Sequence, residues 1–131
     1  MMYVLDTNTL IYFFKGVGHV ARHLLAAPPR DIGLPAIVVF ELQVGIEKSA
    51  SPKKRKLQLK QLTDVVNVLP FGFDEARHAA EIRAGLEAQG RPIGPYDILI
   101  AATARSKKGI LVTHNIKEFN RIRDLQIVDW F

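Results

Sequence analysis

The sequence contains no cysteine, which excludes a disulfide framework and a thiolate metal site. Any bound metal ion must therefore be held by oxygen or imidazole ligands. The chain also lacks an uninterrupted apolar run long enough to cross a bilayer, and no basic stretch followed by an apolar one opens it. We therefore expect a soluble, cytoplasmic protein that does not act in a membrane.

Internal repeats, low-complexity tracts and linkers are absent as well. With 131 residues, 48% of them hydrophobic, the chain is large enough to fill one core, and we expect a single domain over residues 1–131. Acidic residues are fewer than basic ones. The chain has 13 Asp and Glu and 18 Lys and Arg, which gives a formal net charge of +5. This balance suits a polyanionic partner such as nucleic acid.

Short apolar runs alternate along the chain with segments of helical periodicity, and this predicts an α/β fold: a mostly parallel sheet flanked by helices on both faces. Residues 35–45 are ambiguous because their β-branched side chains favour a strand, whereas Pro35 at a first turn favours the helix that we predict. The predicted strands are Tyr3–Leu5, Ile32–Leu34, Val66–Leu69, Ile110–Thr113 and Leu125–Val128. The predicted helices cover residues 7–14, 17–26, 36–48, 74–89 and 97–107, a helix starting at Pro52 with an apolar stripe of Leu57, Leu59, Leu62 and Val65, and a short helix or turn over 116–122.

Three acids stand at positions typical of a reactive site. Asp6 directly follows the first predicted strand, at the carboxyl end where α/β sheets gather their reactive groups. Glu41 is the only acid between Leu34 and Ile46, with Gly45 one turn later on the same helix face. Asp97 begins an apolar helix after a segment rich in Gly and Pro.

Each acid also has a purely structural interpretation. Asp6 and Asp97 could cap helices or occupy a first turn, and Glu41 could pair with a nearby Lys or Arg. Three carboxylates brought together would repel one another unless a divalent cation lay between them, and hard oxygen ligands suit Mg²⁺ or Mn²⁺.

Four segments taken in order resemble the PIN domains of VapC-type toxins, and the resemblance covers essentially the whole chain. They are DTNTLI at Asp6, Glu41 followed by Gly45, GPYDILIAATA around Asp97, and ILVTHNIKEF. The loop GxPIGxxD, the segment T-x-N-x-x-E-F and the terminal Asp-Trp are similar to those of a subgroup that cleaves initiator tRNA in the anticodon stem-loop.

The resemblance implies a metal-dependent endoribonuclease toxin that inhibits translation by hydrolysing RNA, with Asp6, Glu41 and Asp97 as catalytic and metal-binding acids. Mg²⁺ is the implied cofactor, and Mn²⁺ would substitute for it. Many relatives carry Asp where this chain has Asn115, so we expect weaker binding of a second metal ion, and whether Asn115 or Glu118 completes the site is open. Supporting roles beside the ligating acids are expected for Thr7, Asn8 and Thr113.

Basic residues around an acidic pocket would have to bind the RNA. The candidates are Arg91 and Tyr96 beside Asp97, together with Lys107 and Lys108. Tyr96 could stack on an unpaired base or pack under its own loop. Further basic candidates are Lys53, Lys54, Arg55, Lys56, Arg121 and Arg123, although the run 53–56 could simply be a solvated helix end.

The resemblance also implies a VapB-type antitoxin that lays a helix or tail into a groove, with Leu10, Phe13, Phe14 and Ile37 as candidate groove residues. A homodimer is expected, with promoter DNA bound only through the antitoxin. Two other functions compete with this one. A phosphotransferase of the haloacid dehalogenase type would need an acid at Asn8, and a non-catalytic PIN module could serve as an RNA-binding or scaffolding subunit.

Overall fold

The computed structural model describes all residues from Met1 to Phe131, and its centre is one sheet of five short strands. The strands are β1 (Tyr3–Leu5), β2 (Ile32–Pro35), β3 (Asn67–Leu69), β4 (Ile110–Val112) and β5 (Gln126–Val128). Their order across the sheet is β3-β2-β1-β4-β5, and all four neighbouring pairs are parallel. The prediction of a parallel sheet is confirmed.

Seven helices accompany the sheet. They are α1 (Thr7–Lys15), α2 (Val20–Ala26), α3 (Ala36–Glu47), α4 (Pro52–Thr63), α5 (Phe73–Ala88), α6 (Pro95–Ser106) and α7 (Ile116–Phe119). The ambiguous segment after Pro35 is helical, as predicted, because Pro35 ends β2 and precedes the first turn of α3. A 3-10 turn at Pro29–Asp31, which we did not predict, leads into β2.

Three helix starts differ from the predictions, and one of them is α6, which begins at Pro95 rather than Asp97 because Pro95 suits a first helical turn. α2 begins at Val20 rather than Val17, because Gly16 and Gly18 adopt left-handed φ values of 70° and 65° and break the helical path. α5 does not begin at Asp74. The helix starts one residue earlier, after Gly72, whose N–H donates to the Glu75 carboxylate at 2.8 Å.

The predicted apolar stripe of α4 is only partly buried. Leu59 lies in the core, whereas Leu57 and Val65 are 57% and 59% exposed, and Leu62 is half-buried. α4 lies at the margin of the molecule against α3, so only a narrow line of its surface meets other side chains. Periodicity alone overestimated how much of this helix is covered.

The core is one cluster of 25 buried hydrophobic residues on both faces of the sheet. The central strands β1 and β4 are apolar throughout their buried positions, and Val4, Leu5, Leu111 and Val112 are completely inaccessible. α6 contributes Ile100 and three buried alanines, whose small side chains allow close approach to the sheet. None of the helices combines the length and the apolar character needed to span a membrane.

The topology gathers several chain segments at one edge of the sheet. From β1 the strand order runs one way to β2 and β3 and the other way to β4 and β5, so the switch point lies between β1 and β4. α1 and α3 start where β1 and β2 end. α6 leads into the beginning of β4, so its first turn lies at the same carboxyl edge.

Candidate active site

Asp6 lies at the end of β1 and is only 5% exposed. Its Oδ1 accepts the N–H of Thr9 at 2.9 Å, so the capping interpretation is correct for one of its oxygens. Burial raises the pKa of Asp6; hydrogen bonds from Thr113 and Thr9 lower it, and nearby Asp129 raises it, with a net increase. A carboxylate placed this deep is costly to ionise unless a cation approaches it.

Glu41 lies in the second turn of α3 and is half-buried. The Thr7 hydroxyl, in the first turn of α1, donates to its Oε1 at 2.7 Å. No Lys, Arg or His forms a salt bridge with Glu41, so the simple ion-pair interpretation is wrong. Two adjacent residues therefore serve two different acids. Asp6 is itself one of them, and Thr7 orients the other, Glu41.

Asp97 is the third residue of α6, whose N-cap position is Gly94, so Asp97 is a first-turn acid and not the cap. Its pKa is raised to about 6 by burial, then by the charges of Asp6, Glu118 and Glu41. Burial, together with the negative charges around it, outweighs the favourable field of the helix N-terminus. The structure thus gathers the three acids that the sequence singled out.

The segment after β4 supplies the remaining polar groups. Thr113 is fully buried, and its Oγ1 accepts the main-chain N–H of Asn115 at 3.0 Å. The side-chain amide of Asn115 makes no hydrogen bond. Glu118 lies close enough to Asp97 to raise the pKa of that carboxyl. Glu118 therefore adds a fourth negative charge to this edge, whereas the neutral Asn115 side chain adds none. Asn8 is exposed and makes no side-chain hydrogen bond.

The donors at this edge are carboxylate oxygens, with hydroxyls that hold them in place. Their chemistry fits a hard divalent cation such as Mg²⁺ or Mn²⁺. With the side chains as they lie, no three Asp, Glu or His residues are close enough to share one ion. Asp6, Glu41 and Asp97 therefore interact through space without forming a closed coordination site.

A groove begins at Glu41 and runs between α1, α3 and α4, with a volume of about 350 Å³. Its floor is apolar, and two cations, Lys15 and Arg55, line it together with Glu41. Of the predicted groove residues, Phe14 lines this cavity, Phe13 lines the adjoining one and Ile37 is half-buried. Leu10 is completely inaccessible and belongs to the core, because it points from α1 towards the sheet.

The RNA-binding candidates do not lie together. Lys107 and Lys108 follow the last turn of α6, about 15 Å along the helix from Asp97, so the structure separates them from the acids. Arg91 is exposed in the loop before α6, and Arg121 is held against that loop by a 3.3 Å hydrogen bond to the Pro92 carbonyl. Within the run 53–56, only Arg55 is half-buried, beside the groove; its neighbours are exposed.

Sequence reasoning missed three residues near the site. Phe40 packs its ring edge-on against Tyr96, Lys15 lines the groove beside Glu41, and Asp129 raises the pKa of Asp6. Phe40 had a readable signal, since an apolar aromatic directly precedes the lone acid of α3. For Lys15 the sequence carries no such signal, because only the packing of distant elements brings it near. Asp129 belongs to the terminal Asp-Trp, but that motif does not indicate that its carboxylate comes near Asp6.

The chain is similar to known proteins over nearly its whole length. Residues 3–125 match the PIN domain family. The chain is 34% identical over 130 residues to the tRNA(fMet)-specific endonuclease VapC of Shigella flexneri, covering 99% of this chain and 98% of the relative. It is 37% identical over 132 residues to Ribonuclease VapC1 of Haemophilus influenzae, with the same coverage.

A solved structure shares the whole architecture. The crystal structure of VapBC2 from Rickettsia felis bound to a DNA fragment from their promoter contains a chain that superposes with a TM-score of 0.92 at 34% identity, and each chain is covered completely. The present chain belongs to the PIN domain family, and within it to the VapC group.

Proposed function

We propose that this chain is the endoribonuclease toxin of a VapBC-type toxin-antitoxin system and that its acidic cluster hydrolyses RNA phosphodiester bonds. One observation carries the proposal. The carboxylates of Asp6, Glu41, Asp97 and Glu118 form no salt bridge, and repulsion from the other three helps to raise the pKa of Asp97 to about 6. Asp129, which raises the pKa of Asp6, is the acid near this site that does have a partner, His114 at 2.8 Å. A protein that needed these acids only for stability would pair them with its abundant basic residues.

Asp6, Glu41 and Asp97 would hold Mg²⁺ or Mn²⁺, with Glu118 as the nearest further acid. Such an ion supplies a water activated at neutral pH and a positive charge against the scissile phosphate. The protein's own part is orientation. Thr9 and Thr113 fix Asp6 at the end of β1, and Thr7 fixes Glu41 across the gap between α1 and α3.

The proposed substrate is initiator tRNA, cut in the anticodon stem-loop, with inhibition of translation as the consequence. Support comes from the Shigella relative, whose name describes a tRNA(fMet)-specific endonuclease. A single-stranded loop also suits a shallow acidic edge, because unstacked nucleotides can reach side chains that a paired stem cannot.

The test uses purified protein without antitoxin, incubated with initiator tRNA, total tRNA and an unrelated RNA. Each RNA is tested with Mg²⁺, with Mn²⁺ and with EDTA, beside an Asp97→Asn control. We expect one metal-dependent cut in the initiator anticodon region, absent from the control. If only other RNA is cleaved, the proposed nuclease activity stands and initiator tRNA is rejected as the substrate. RNA binding without any cleavage would favour a non-catalytic module.

We propose that a VapB-type antitoxin occupies the groove between α1, α3 and α4. The related chain from Rickettsia felis was solved as VapBC2 on promoter DNA, which supports such a partner. The groove has an apolar floor and ends at Glu41, so a basic side chain of the partner could reach the acids. Replacing Phe14 with Asp should abolish complex formation in a co-purification assay, whereas Lys117→Asp, at the exposed position of α7, should not.

A further inference from the structure

Two half-exposed aromatic rings stand beside the acids. Phe40 and Tyr96 are each 47% exposed, and their ring centroids lie 5.6 Å apart with planes at 69°. Phe40 directly precedes Glu41 in α3, and Tyr96 directly precedes Asp97 in α6. The aromatic pair therefore connects α3 and α6, the two helices that carry these acids.

Neither ring is needed where it lies to fill the core. Each leaves about half of its surface open to water, although a fully buried aromatic would stabilise the fold more. Another phenylalanine, Phe73 in the first turn of α5, is 84% exposed but has no aromatic partner. The Phe40–Tyr96 pair differs from it by its edge-to-face contact and by its position at the acidic edge.

An acidic edge repels the phosphates of RNA, and the structure separates Lys107 and Lys108 from it, so contacts that need no positive charge can add to the attraction there. Stacking of a base on an aromatic ring is such a contact, and it works with any base because every base has a π-face. A phosphodiester held at Glu41 and Asp97 would bring its flanking bases close to residues adjacent to these acids.

We propose that Phe40 and Tyr96 form a platform on which an unpaired base next to the cleaved phosphodiester stacks. This inference rests on the proposed ribonuclease function and adds to it the residues that position the substrate. It assigns to Phe40 a substrate-binding role and extends the stacking interpretation of Tyr96. A second copy of the chain is the competing occupant, because Val44, one turn beyond Phe40 on α3, is also 38% exposed.

The test compares Phe40→Leu, Phe40→Trp and Tyr96→Leu with Phe73→Leu as the matched control. Steady-state cleavage of the RNA that the wild-type protein cuts is measured first. We expect Phe40→Leu and Tyr96→Leu to raise KM by roughly 10- to 100-fold with little change in kcat, because stacking contributes to binding rather than to the reaction. Phe40→Trp should retain the wild-type KM, and so should Phe73→Leu.

A second readout follows stacking itself. An RNA oligonucleotide spanning the cut, with 2-aminopurine beside an uncleavable analogue of the scissile linkage, is bound in the presence of Mg²⁺ so that it stays intact. Quenching of its fluorescence should occur with the wild-type protein and with Phe40→Trp, and it should be lost with Phe40→Leu. Thermal unfolding of every variant checks that the fold is retained.

Two results would overturn the platform. If Phe40→Leu has the KM of the wild-type protein and quenches the fluorescence to the same extent, no base stacks on Phe40. A halved molar mass of Phe40→Leu in light scattering would show that the pair is instead an interface between two copies. If the wild-type protein itself cleaves no RNA, the proposed function fails, which is distinct from a wild-type enzyme whose Leu variants behave normally.

Discussion

The two ends of α6 differ in whether their charged side chains have partners of opposite charge. Near the last turn, Arg105 is only 12% exposed, and its Nη2 donates to Glu81 at 2.7 Å while its Nε donates to His78 Nδ1 at 2.8 Å. In the first turn, Asp97 faces Asp6, Glu118 and Glu41, and none of these acids has a basic partner. One helix thus holds both a compensated and an uncompensated charge.

The difference separates stability from function. A buried charge that the chain pairs by itself belongs to the structure, since its partners remove most of the cost of desolvation. Charges of one sign left facing one another reduce stability, and such an arrangement is typical of a site that binds something of opposite charge. Substitutions at the two ends of α6 should therefore affect different measurements.

The largest effect should come from removing one acid of the uncompensated end. Asp6→Asn should lower the rate of RNA cleavage by at least about 1000-fold, because the cation would lose a charged ligand. Single-turnover cleavage with Mg²⁺ measures this rate. Glu81→Gln, at the compensated end, is the matched control and should cleave at the wild-type rate; equal losses in both variants would contradict the comparison.

The compensated end should instead show its effect in stability. Arg105→Met should lower the free energy of unfolding by about 2 kcal/mol, because His78 and Glu81 lose a largely buried partner. Urea denaturation gives this value. Arg77→Met removes the other partner of Glu81, whose contact of 3.2 Å is half-exposed on both sides, and should cost less than about 0.5 kcal/mol. Similar losses of unfolding free energy in the two variants would show that the buried position of Arg105 does not strengthen its contribution to stability.

A smaller effect is expected where a neutral group orients an acid. Thr7→Val removes the 2.7 Å hydrogen bond to Glu41 and should lower kcat/KM by roughly 10-fold. Thr7→Ser keeps the hydroxyl and should restore most of the activity. Equal activity of the Val and Ser variants would mean that Glu41 is oriented by packing alone.

The smallest effect concerns the stability of the metal-free protein. The pKa of Asp97 is raised from 3.8 to about 6, so its contribution to stability is present below pH 3.8 and is lost as pH rises through about 6. Asp97→Asn should therefore be more stable than the wild type at pH 8, by roughly 1 kcal/mol after allowance for solvent screening of this half-buried group.

Thermal unfolding in EDTA across pH 4 to 8 would reveal this difference, which should vanish at the acidic limit. Asp74→Asn, at an exposed first-turn acid of α5, is the matched control and should show no such gain at pH 8. A gain for Asp97→Asn that does not change with pH would exclude ionisation of Asp97 as its cause.

Local sequence signals determined the elements of this protein. The five strands and the helix after Pro35 follow from short apolar runs, proline positions and helical spacing, which act within a few residues. The edge where Asp6, Glu41 and Asp97 meet was also predictable, because parallel strands place their carboxyl ends on one side.

Tertiary structure decided what depends on distant elements. It brought Glu118 close enough to Asp97 to raise the pKa of that carboxyl, and it separated Lys107 from the acids by the length of α6. It also joined Phe40 to Tyr96, and it left much of α4 exposed. The physical reason is that burial, through-space repulsion and ring contacts form only when distant segments pack together. The separation of two residues along the chain does not indicate whether they will make such a contact.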